Sequence, residues 1–362
     1  MIYFLAATSA FFLSFALTLI TIQLGYRFNL LSKPRKRDIH KKPVPRIGGV
    51  AIFTSFLLVS LVYFLLIHPD YRLSNFLSSG VDKQLIGIWF GGVIITSSML
   101  LDDIFGLRAW QKFIFQFAAV VSVIASGIGI DHLANPFGDA LNLNSVYLPI
   151  INYKGITYHF SLWSDILTLI WMIGMMNVIN FVDGIDGLAS GLSVIASATI
   201  FFVAIGSGQP ALALLAIILV GSSLGFLSLN YPPAKIFMGD SGSMFLGFML
   251  GVMPLLSGGK LATAFLVLGF PILDGLIVAG GRLLRGQNPF NTPDKTHLHH
   301  RFISAGFSRR KALWSMWLIA AAFAWVALRS NTLQKIEAFV ALIILLVVMI
   351  QILNYRAKKN KA

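Results

Sequence analysis

The chain has 362 residues, of which 57% are hydrophobic and only 12% are charged, and its mean hydropathy is +0.80. Soluble domains carry about 25% charged residues, so this composition excludes an ordinary soluble domain and indicates a polytopic membrane protein. The net charge of +14 would suit nucleic acid, but the basic residues lie in short loops between apolar runs, so we expect a lipid bilayer and no nucleic acid as partner. The absence of cysteine excludes disulfides and thiolate chemistry.

Apolar runs long enough to cross a membrane recur along the whole chain. A span needs about 20 apolar residues, and the chain holds about eleven such runs, with about ten as the alternative because some are short. They lie near residues 3–25, 47–67, 84–101, 113–130, 162–179, 189–206, 211–229, 242–256, 262–283, 312–328 and 336–355. The first run has no basic flank or clear cleavage site, which favours a retained helix over a signal peptide. We predict an all-α polytopic membrane protein with one domain over 1–362.

Basic loop residues predict the orientation of the chain. With about eleven spans, three basic groups fall on one side, which the positive-inside rule makes cytoplasmic. They are Lys33, Arg35, Lys36, Arg37, Lys41, Lys42 and Arg46 in the first loop, Arg285, Lys295, Arg301, Arg309, Arg310 and Lys311 after the ninth span, and Arg356, Lys358, Lys359 and Lys361 in the tail. The N-terminus is then outside and the C-terminus inside. In the external loop 131–161 we expect a small hairpin around Lys154-Gly155.

Most of the informative acidic residues fall on this same predicted side. Those at helix ends or in loops are Asp102, Asp103, Asp183, Asp186, Asp240 and Asp294, whereas Asp274 lies inside a span, nearer its inner half. Carboxylates that share a membrane face with basic loops suit a divalent cation together with a multiply phosphorylated ligand. The sequence therefore predicts an active site on the cytoplasmic face.

The stretch 177–191 places polar groups where an apolar run ends. Asn177 and Asn180 are three residues apart, as are Asp183 and Asp186, so each pair shares one face of a helix or tight turn. A carboxylate beside hydrocarbon is costly unless it meets water, a cation or a partner. A polar helix end with a glycine turn is the structural alternative, but four such groups within ten residues favour a functional site.

Two further motifs bring acids to helix ends. Asp102 and Asp103 are adjacent, so they repel one another unless a cation neutralises them, and Lys112 follows about two helical turns later. Phe237 is an aromatic residue in a polar loop and a candidate to stack on a base, and Asp240 begins the next span. A solvated helix end and a simple aspartate N-cap are the respective alternatives.

Three histidines and an arginine lie in a basic segment at 294–301. We expect His297, His299, His300 and Arg301 to contact phosphates from a polar loop, where substitution should not cost core packing. Zinc is an alternative, but there is no cysteine and the acids elsewhere suit a harder cation. A solvated run of charges is the other alternative.

Together these motifs resemble the polyprenyl-phosphate N-acetylhexosamine-1-phosphate transferases. LDDIFGLR, NVINFVDGIDGLASG, NYPPAKIFMGDSGS and DKTHLHH appear in that family's order and spacing, and Lys33-Pro34 and the PRIGG of the first loop extend the resemblance over nearly the whole chain. FVDGIDGL and HLHH look most like the bacterial undecaprenyl-phosphate N-acetylglucosaminyl 1-phosphate transferases, which start teichoic acid, O-antigen or related glycans.

The resemblance implies an enzyme of the plasma (inner) membrane with a cytoplasmic site. It would move a sugar 1-phosphate from a UDP-sugar to a polyprenyl phosphate and release UMP, using Mg²⁺ with Mn²⁺ as the alternative. By similarity, Asp240 and Asn180 are metal ligands, whereas the catalytic set is Asp102, Asp103, Asp183, Asp186, His297, His299 and His300. Substrate contacts would come from Lys33, Lys112, Asn177, Phe237 and Arg301.

Several alternatives stay open at this stage. The donor is predicted to be UDP-GlcNAc, with UDP-GalNAc and UDP-MurNAc-pentapeptide as alternatives, and a homodimer is an open possibility. A secondary transporter is the rival class, since it would use carboxylates near the middle of broken spans, and only Asp274 approaches that position.

Overall fold

The computed structural model describes residues 1–32, 43–73, 82–133, 135, 138–153, 156–257, 261–286 and 297–360. Lys33, Lys154, Gly155, Asp294 and Lys295 lie outside these residues. Within them the helices are α1 Ile2–Arg27, α2 Gly49–Val62, α3 Lys83–Phe105, α4 Ala109–Ala125, α5 Leu162–Val182, α6 Leu188–Gly206, α7 Pro210–Asn230, α8 Gly239–Leu256, α9 Leu261–Val267, α10 Gly269–Leu283, α11 Leu298–Ser304, α12 Arg309–Arg329 and α13 Thr332–Lys359. A π-helical turn, Tyr63–Ile67, extends α2.

The predicted all-α membrane fold is confirmed, and each predicted apolar run coincides with a helix or a pair of helices over most of its length. Within the described residues nine helices are long and apolar enough to span a membrane, and α9 with α10, bent by 75°, makes a tenth. The run near 113–130 corresponds to α4, an apolar helix of 17 residues. Near its end Ser122 donates to Gly87 O (3.2 Å), close to the start of α3, so α4 runs back along the full length of α3.

Local sequence signals set several helix ends. Asp82 caps α3 by accepting hydrogen bonds from Gln84 N (2.8 Å) and Leu85 N (3.4 Å). Ser308 caps α12 through Lys311 N, and Asn331 caps α13 through Gln334 N. These polar caps satisfy amide groups that would otherwise lack partners where each helix leaves the apolar layer.

The strands are short and lie outside the helical layer. β1 Leu31–Ser32 pairs with β2 Val44–Pro45, and β3 His132–Leu133 pairs with β4 Leu141–Asn142. β5 Tyr147–Tyr153 and β6 Ile156–Ser161 form an antiparallel hairpin in which Tyr153 faces Ile156. The predicted hairpin in the long loop is thereby confirmed.

The bundle is built around α8, which is almost wholly buried against α2, α3 and α5. The two termini lie at opposite ends of the bundle. Tyr3 packs on Phe201 near the end of α6 (5.3 Å between ring centroids), whereas Asn354 in α13 accepts a hydrogen bond from Arg301 in α11 (2.9 Å). The end that holds the C-terminus also holds the carboxyl ends of α3 and α5 and the start of α8.

Candidate active site

Five charged residues converge where α3 ends and α8 begins. Lys112 Nζ of α4 lies 2.6 Å from Asp102 Oδ2 and 2.7 Å from Asp240 Oδ2. Arg46, just after β2, places Nε 3.3 Å from Asp103 Oδ1 and Nη2 3.0 Å from Asp240 Oδ1. Each oxygen of Asp240 therefore meets a different cation. We call these five residues the carboxylate cluster.

Asp103 joins the carboxylate cluster to the fold. Its side chain is fully buried, and it accepts hydrogen bonds from the backbone amides of Asp240 (2.9 Å) and Ser241 (3.1 Å) and from Ser241 Oγ (2.9 Å). A carboxylate from α3 thus caps the first turn of α8, where free amides and the helix dipole favour negative charge. Gly239 precedes Asp240 with φ +74, and a Cβ there would collide with Arg46 O and Asp103 Oδ2, so only glycine fits.

Backbone pairing holds Arg46 beside Asp240. Phe237 N donates to Pro45 O (2.8 Å), and Phe237 O accepts from Gly48 N (3.0 Å). The segment before α8 is therefore attached to the segment between β2 and α2. The Phe237 ring is partly exposed at this edge of the site.

The asparagines of α5 lie beside the carboxylate cluster. Asn180 Nδ2 donates to Ser243 Oγ (2.9 Å), and Ser243 lies three residues after Asp240 on the same face of α8. That hydrogen bond engages the amide nitrogen of Asn180, so its side-chain oxygen is the atom that could bind a cation. Asn177 donates to Ile173 O (2.8 Å) in its own helix and lies 3.5 Å from Gln116 Oε1 of α4.

Asp183 and Asp186 occupy different surroundings. Asp183 follows α5 directly, and burial together with the negative charge of Asp240 raises the pKa of Asp183 well above its ordinary value. Asp183 therefore lies within electrostatic reach of the carboxylate cluster. Asp186 points elsewhere: it accepts from Ala234 N (3.2 Å) and lies 3.9 Å from Arg309 Nη1.

The histidines are not in a solvated loop, which corrects the sequence expectation. α11 begins directly after His297, and His297 and His299 are only 8% and 4% exposed. Apolar neighbours in the same segment, Leu298 and Phe302, draw it into the bundle, so substitution at either buried histidine does cost packing. His300 is half-buried, and Arg301 donates to Asn354 Oδ1 of α13.

His299 meets the glycine of the Asp183-Gly184 turn. A Cβ on Gly184 would collide with His299 Nε2, so α11 packs directly on the turn that follows α5. Burial, with the adjacent rings of His300 and His297, lowers the pKa of His299 to about 3. Its imidazole is therefore neutral at physiological pH, and we expect no titration of this residue near the ordinary histidine value of about 6.5.

Sequence reasoning missed three residues that the structure brings to the site. Arg46 was counted only as a basic loop residue, although it bridges two carboxylates. Asp274 Oδ2 of α10 lies 2.9 Å from His297 Nδ1. Its position as an acid inside an apolar run is the sequence feature that could have predicted a functional role. Asn230 accepts from Gly187 N (2.9 Å) and donates to Ile236 O (2.9 Å), which joins the turn after α5 to the segment before α8.

The carboxylate cluster fits a hard cation. Asp102, Asp103 and Asp240 offer oxygens within 4.8 Å of one another, and among the residues that the structure describes this is the only such cluster of metal-binding types. Carboxylate and amide oxygens suit Mg²⁺ or Mn²⁺ rather than zinc. Lys112 Nζ lies between Asp102 and Asp240, so a cation shared by those two acids would replace the ammonium.

An all-α bundle with carboxylates, cations and histidines at one end is suited to an enzyme that acts on phosphorylated substrates at a membrane. The sequence model of glycosyl transferase family 4 matches residues 85–258 of the chain. The probable undecaprenyl-phosphate N-acetylglucosaminyl 1-phosphate transferase of Bacillus subtilis is 32% identical over 349 residues, which cover 93% of this chain and 87% of the relative.

Relatives of similar length occur in other bacteria. The decaprenyl-phosphate N-acetylglucosaminephosphotransferase of Mycobacterium leprae is 33% identical over 86% of this chain and 79% of its own length. The undecaprenyl-phosphate alpha-N-acetylglucosaminyl 1-phosphate transferase of Haemophilus influenzae is 30% identical over 88% and 84%. The chain belongs to this family of polyprenyl-phosphate glycosyl-1-phosphate transferases and is therefore an enzyme, as its motifs indicated.

The contact between Gly184 and His299 can be tested directly. Gly184→Ala would displace the ring, and because misplacement of an active-site group by about 1 Å costs up to a hundredfold, we expect kcat/KM to fall by about ten- to a hundredfold. Gly174→Ala in α5 is the matched control, because nothing lies within 4 Å of a Cβ there, and it should keep parental activity. Parental kcat/KM in Gly184→Ala would contradict a role for this contact.

Proposed function

We propose that this enzyme transfers N-acetylglucosamine 1-phosphate from UDP-GlcNAc to undecaprenyl phosphate, giving undecaprenyl-diphosphate-GlcNAc and UMP. The observation that carries the proposal is the approach of Asp102, Asp103 and Asp240 within 4.8 Å at one end of an all-α bundle. The activities for which the Bacillus subtilis and Haemophilus influenzae relatives are named support the donor and the acceptor. The reaction would be the first membrane step of a cell-surface glycan such as teichoic acid or O-antigen.

The chemistry joins two anions. An oxygen of the lipid phosphate attacks the phosphorus that carries the sugar, a new P–O bond forms, and the bond to UMP breaks. Such transfers depend on positioning and charge stabilisation more than on covalent help from the protein. A phosphate monoester is already largely ionised at neutral pH, its second pKa being about 6, so the acceptor needs little help from a base.

Residues at different positions around the carboxylate cluster would contact different parts of the substrates. Lys112 and Arg46 are the cations nearest the carboxylates and would meet the donor phosphates. The partly exposed Phe237 is the candidate surface for uracil, and Asn177 is the candidate contact on α5. Asp183 and His299 lie at the turn after α5.

Mg²⁺, or Mn²⁺ in its place, would be held by Asp240 and Asn180 with the help of Asp102. When bound it would neutralise phosphate charge as a Lewis acid. Asn180 is hydrogen bonded to Ser243, one turn beyond Asp240, which supports this pair of ligands.

The sequence left two kinds of alternative open, another donor sugar and a transporter. UDP-GalNAc or UDP-MurNAc-pentapeptide would use the same chemistry at the same site. A transporter has lost its main support, because Asp274, the carboxylate that suggested it, is hydrogen bonded to His297 and to Leu298 N.

The donor is tested with the purified enzyme, undecaprenyl phosphate and Mg²⁺. UDP-GlcNAc, UDP-GalNAc and UDP-MurNAc-pentapeptide are offered separately, and UMP release is measured. We expect release with UDP-GlcNAc, dependent on both the lipid and the divalent cation. A preference for either other donor would replace the sugar assignment and leave the reaction class intact.

The metal is tested at Asp240. Asp240→Asn should lower turnover by about a hundredfold or more, as loss of an electrostatic stabiliser usually does, and should raise the Mg²⁺ concentration that gives half-maximal rate. Asp70→Asn is the control, because that side chain is 72% exposed and distant from the cluster. Near-parental turnover at ordinary Mg²⁺ would remove Asp240 from the metal site.

We further propose that the end holding the carboxylate cluster faces the cytoplasm, with the N-terminus outside. Lys235, before α8, and Ser145, before β5, are exposed at opposite ends of the bundle. In this cysteine-free chain Ser145→Cys should react with an impermeant maleimide in intact cells, and Lys235→Cys should react only after permeabilisation. The reverse pattern would invert the orientation.

A further inference from the structure

We propose that Asp274 is a positioning residue that fixes the tautomer and orientation of His297, so that Nε2 is the ring nitrogen presented to the substrates. The inference rests on the proposed transferase function. It concerns a residue that the motifs do not include, on a helix that contributes no other side chain to the site described above.

Both oxygens of Asp274 are committed to the histidine segment. Oδ2 lies 2.9 Å from His297 Nδ1, and Oδ1 accepts a hydrogen bond from Leu298 N at 2.8 Å. Asp274 is 6% exposed and His297 is 8% exposed, so water competes little for these contacts. One carboxylate on α10 thereby holds both the ring and the start of α11.

The pairing decides which nitrogen carries the proton. A carboxylate only accepts hydrogen bonds, so the nitrogen facing it, Nδ1, must be the N–H. Nε2 is then left as an acceptor, or as a donor when the ring is protonated, and it is the nitrogen available to a ligand. Carboxylates commonly orient metal-binding histidines in this way, and losing such a partner typically costs about ten- to a hundredfold in metal affinity or activity, which sets the scale expected here.

The ring so oriented lies beside the rest of the site. Its centroid is 5.9 Å from that of Phe181, the residue directly after Asn180, and 5.8 Å from that of His299. α10 packs along α5, with Gly275 next to Val178. Asp274 thus places His297 at the carboxyl end of α5, where Asn180 and Asp183 lie.

Anchoring alone does not require a charge at this position. A neutral asparagine could accept the hydrogen bond from Leu298 N, and an ionised aspartate in an apolar span is costly. The carboxylate of Asp274 has one property that a neutral asparagine lacks: it can accept one hydrogen bond from Leu298 N and a second from His297 Nδ1. That property selects the Nδ1–H form of His297.

Asp274→Asn separates the two roles. Its single oxygen can keep the hydrogen bond from Leu298 N, while its amide nitrogen then donates to His297 Nδ1 and forces the opposite tautomer. We expect kcat/KM to fall by about ten- to a hundredfold, mainly in kcat, with a melting temperature close to that of the parent. Asp165→Asn is the matched control: Asp165 is another buried carboxylate in a span, bonded to Ser161 N at the opposite end of α5, and its variant should keep parental kcat/KM.

A double-mutant cycle tests whether Asp274 acts through His297. His297→Asn keeps a donor near the Nδ1 position and removes Nε2, so it should still fold, with some loss of packing, and should lose activity. In that background Asp274→Asn should change kcat/KM by less than about twofold, because coupled residues are strongly non-additive. Parental activity in His297→Asn, or an equal loss from Asp274→Asn in both backgrounds, would overturn the proposal.

A readout that needs no turnover keeps this test separate from the proposed function. The ¹⁵N spectrum of labelled histidine, assigned by comparison with His297→Asn, should show His297 protonated at Nδ1 in the parent and at Nε2 in Asp274→Asn. The same tautomer in both proteins would overturn the proposal. A parent enzyme that released no UMP from any of the three donors would instead refute the proposed function and leave this result standing.

Discussion

Carboxylates at the end of an apolar bundle must be neutralised, and this constraint shapes the whole site. Isolated charges beside hydrocarbon are costly, and a buried carboxylate is tolerated only when it is paired and hydrogen bonded. Here Lys112 and Arg46 each contact two carboxylates, and both meet at Asp240. Because the two cations come from α4 and from the segment after β2, neutralisation also fixes how these parts pack on α8.

Fold and chemistry therefore share residues. Asp103 caps α8 across the helix pair, and Gly239 permits the close approach that this cap needs. Asn230 likewise anchors the turn after α5, because its side chain accepts a hydrogen bond from Gly187 N and donates one to Ile236 O. Loss of activity in a variant at Asp103 would mix two effects, whereas the side chain of Asp240 pairs with the side chains of Arg46 and Lys112.

The sequence predicted the helices well because each apolar run must satisfy its own backbone within the membrane, which only a helix achieves here. It also predicted that Asp102, Asp183 and Asp240 share one end, because span parity alone places them there. It failed where three-dimensional packing decides. The three histidines predicted a polar loop, but Leu298 and Phe302 pack into the core and bury that segment. A helix this short shows no hydrophobic periodicity that could have predicted its burial. Arg46 looked like one of many loop cations because its partners lie far away in the chain.

Under the proposed function, the pairing of charges would make a divalent cation and a phosphorylated ligand complement one another at this site. Arg46 and Lys112 are engaged with carboxylates, so a pyrophosphate that recruits them leaves Asp102 and Asp240 without compensation. Asp102 and Asp240 would hold a divalent cation that supplies this positive charge, and Lys112 and Arg46 would then be available to bind the phosphates. Either ligand alone would leave charge uncompensated in the cluster, whereas both together would restore neutrality, so each should strengthen the binding of the other by linkage.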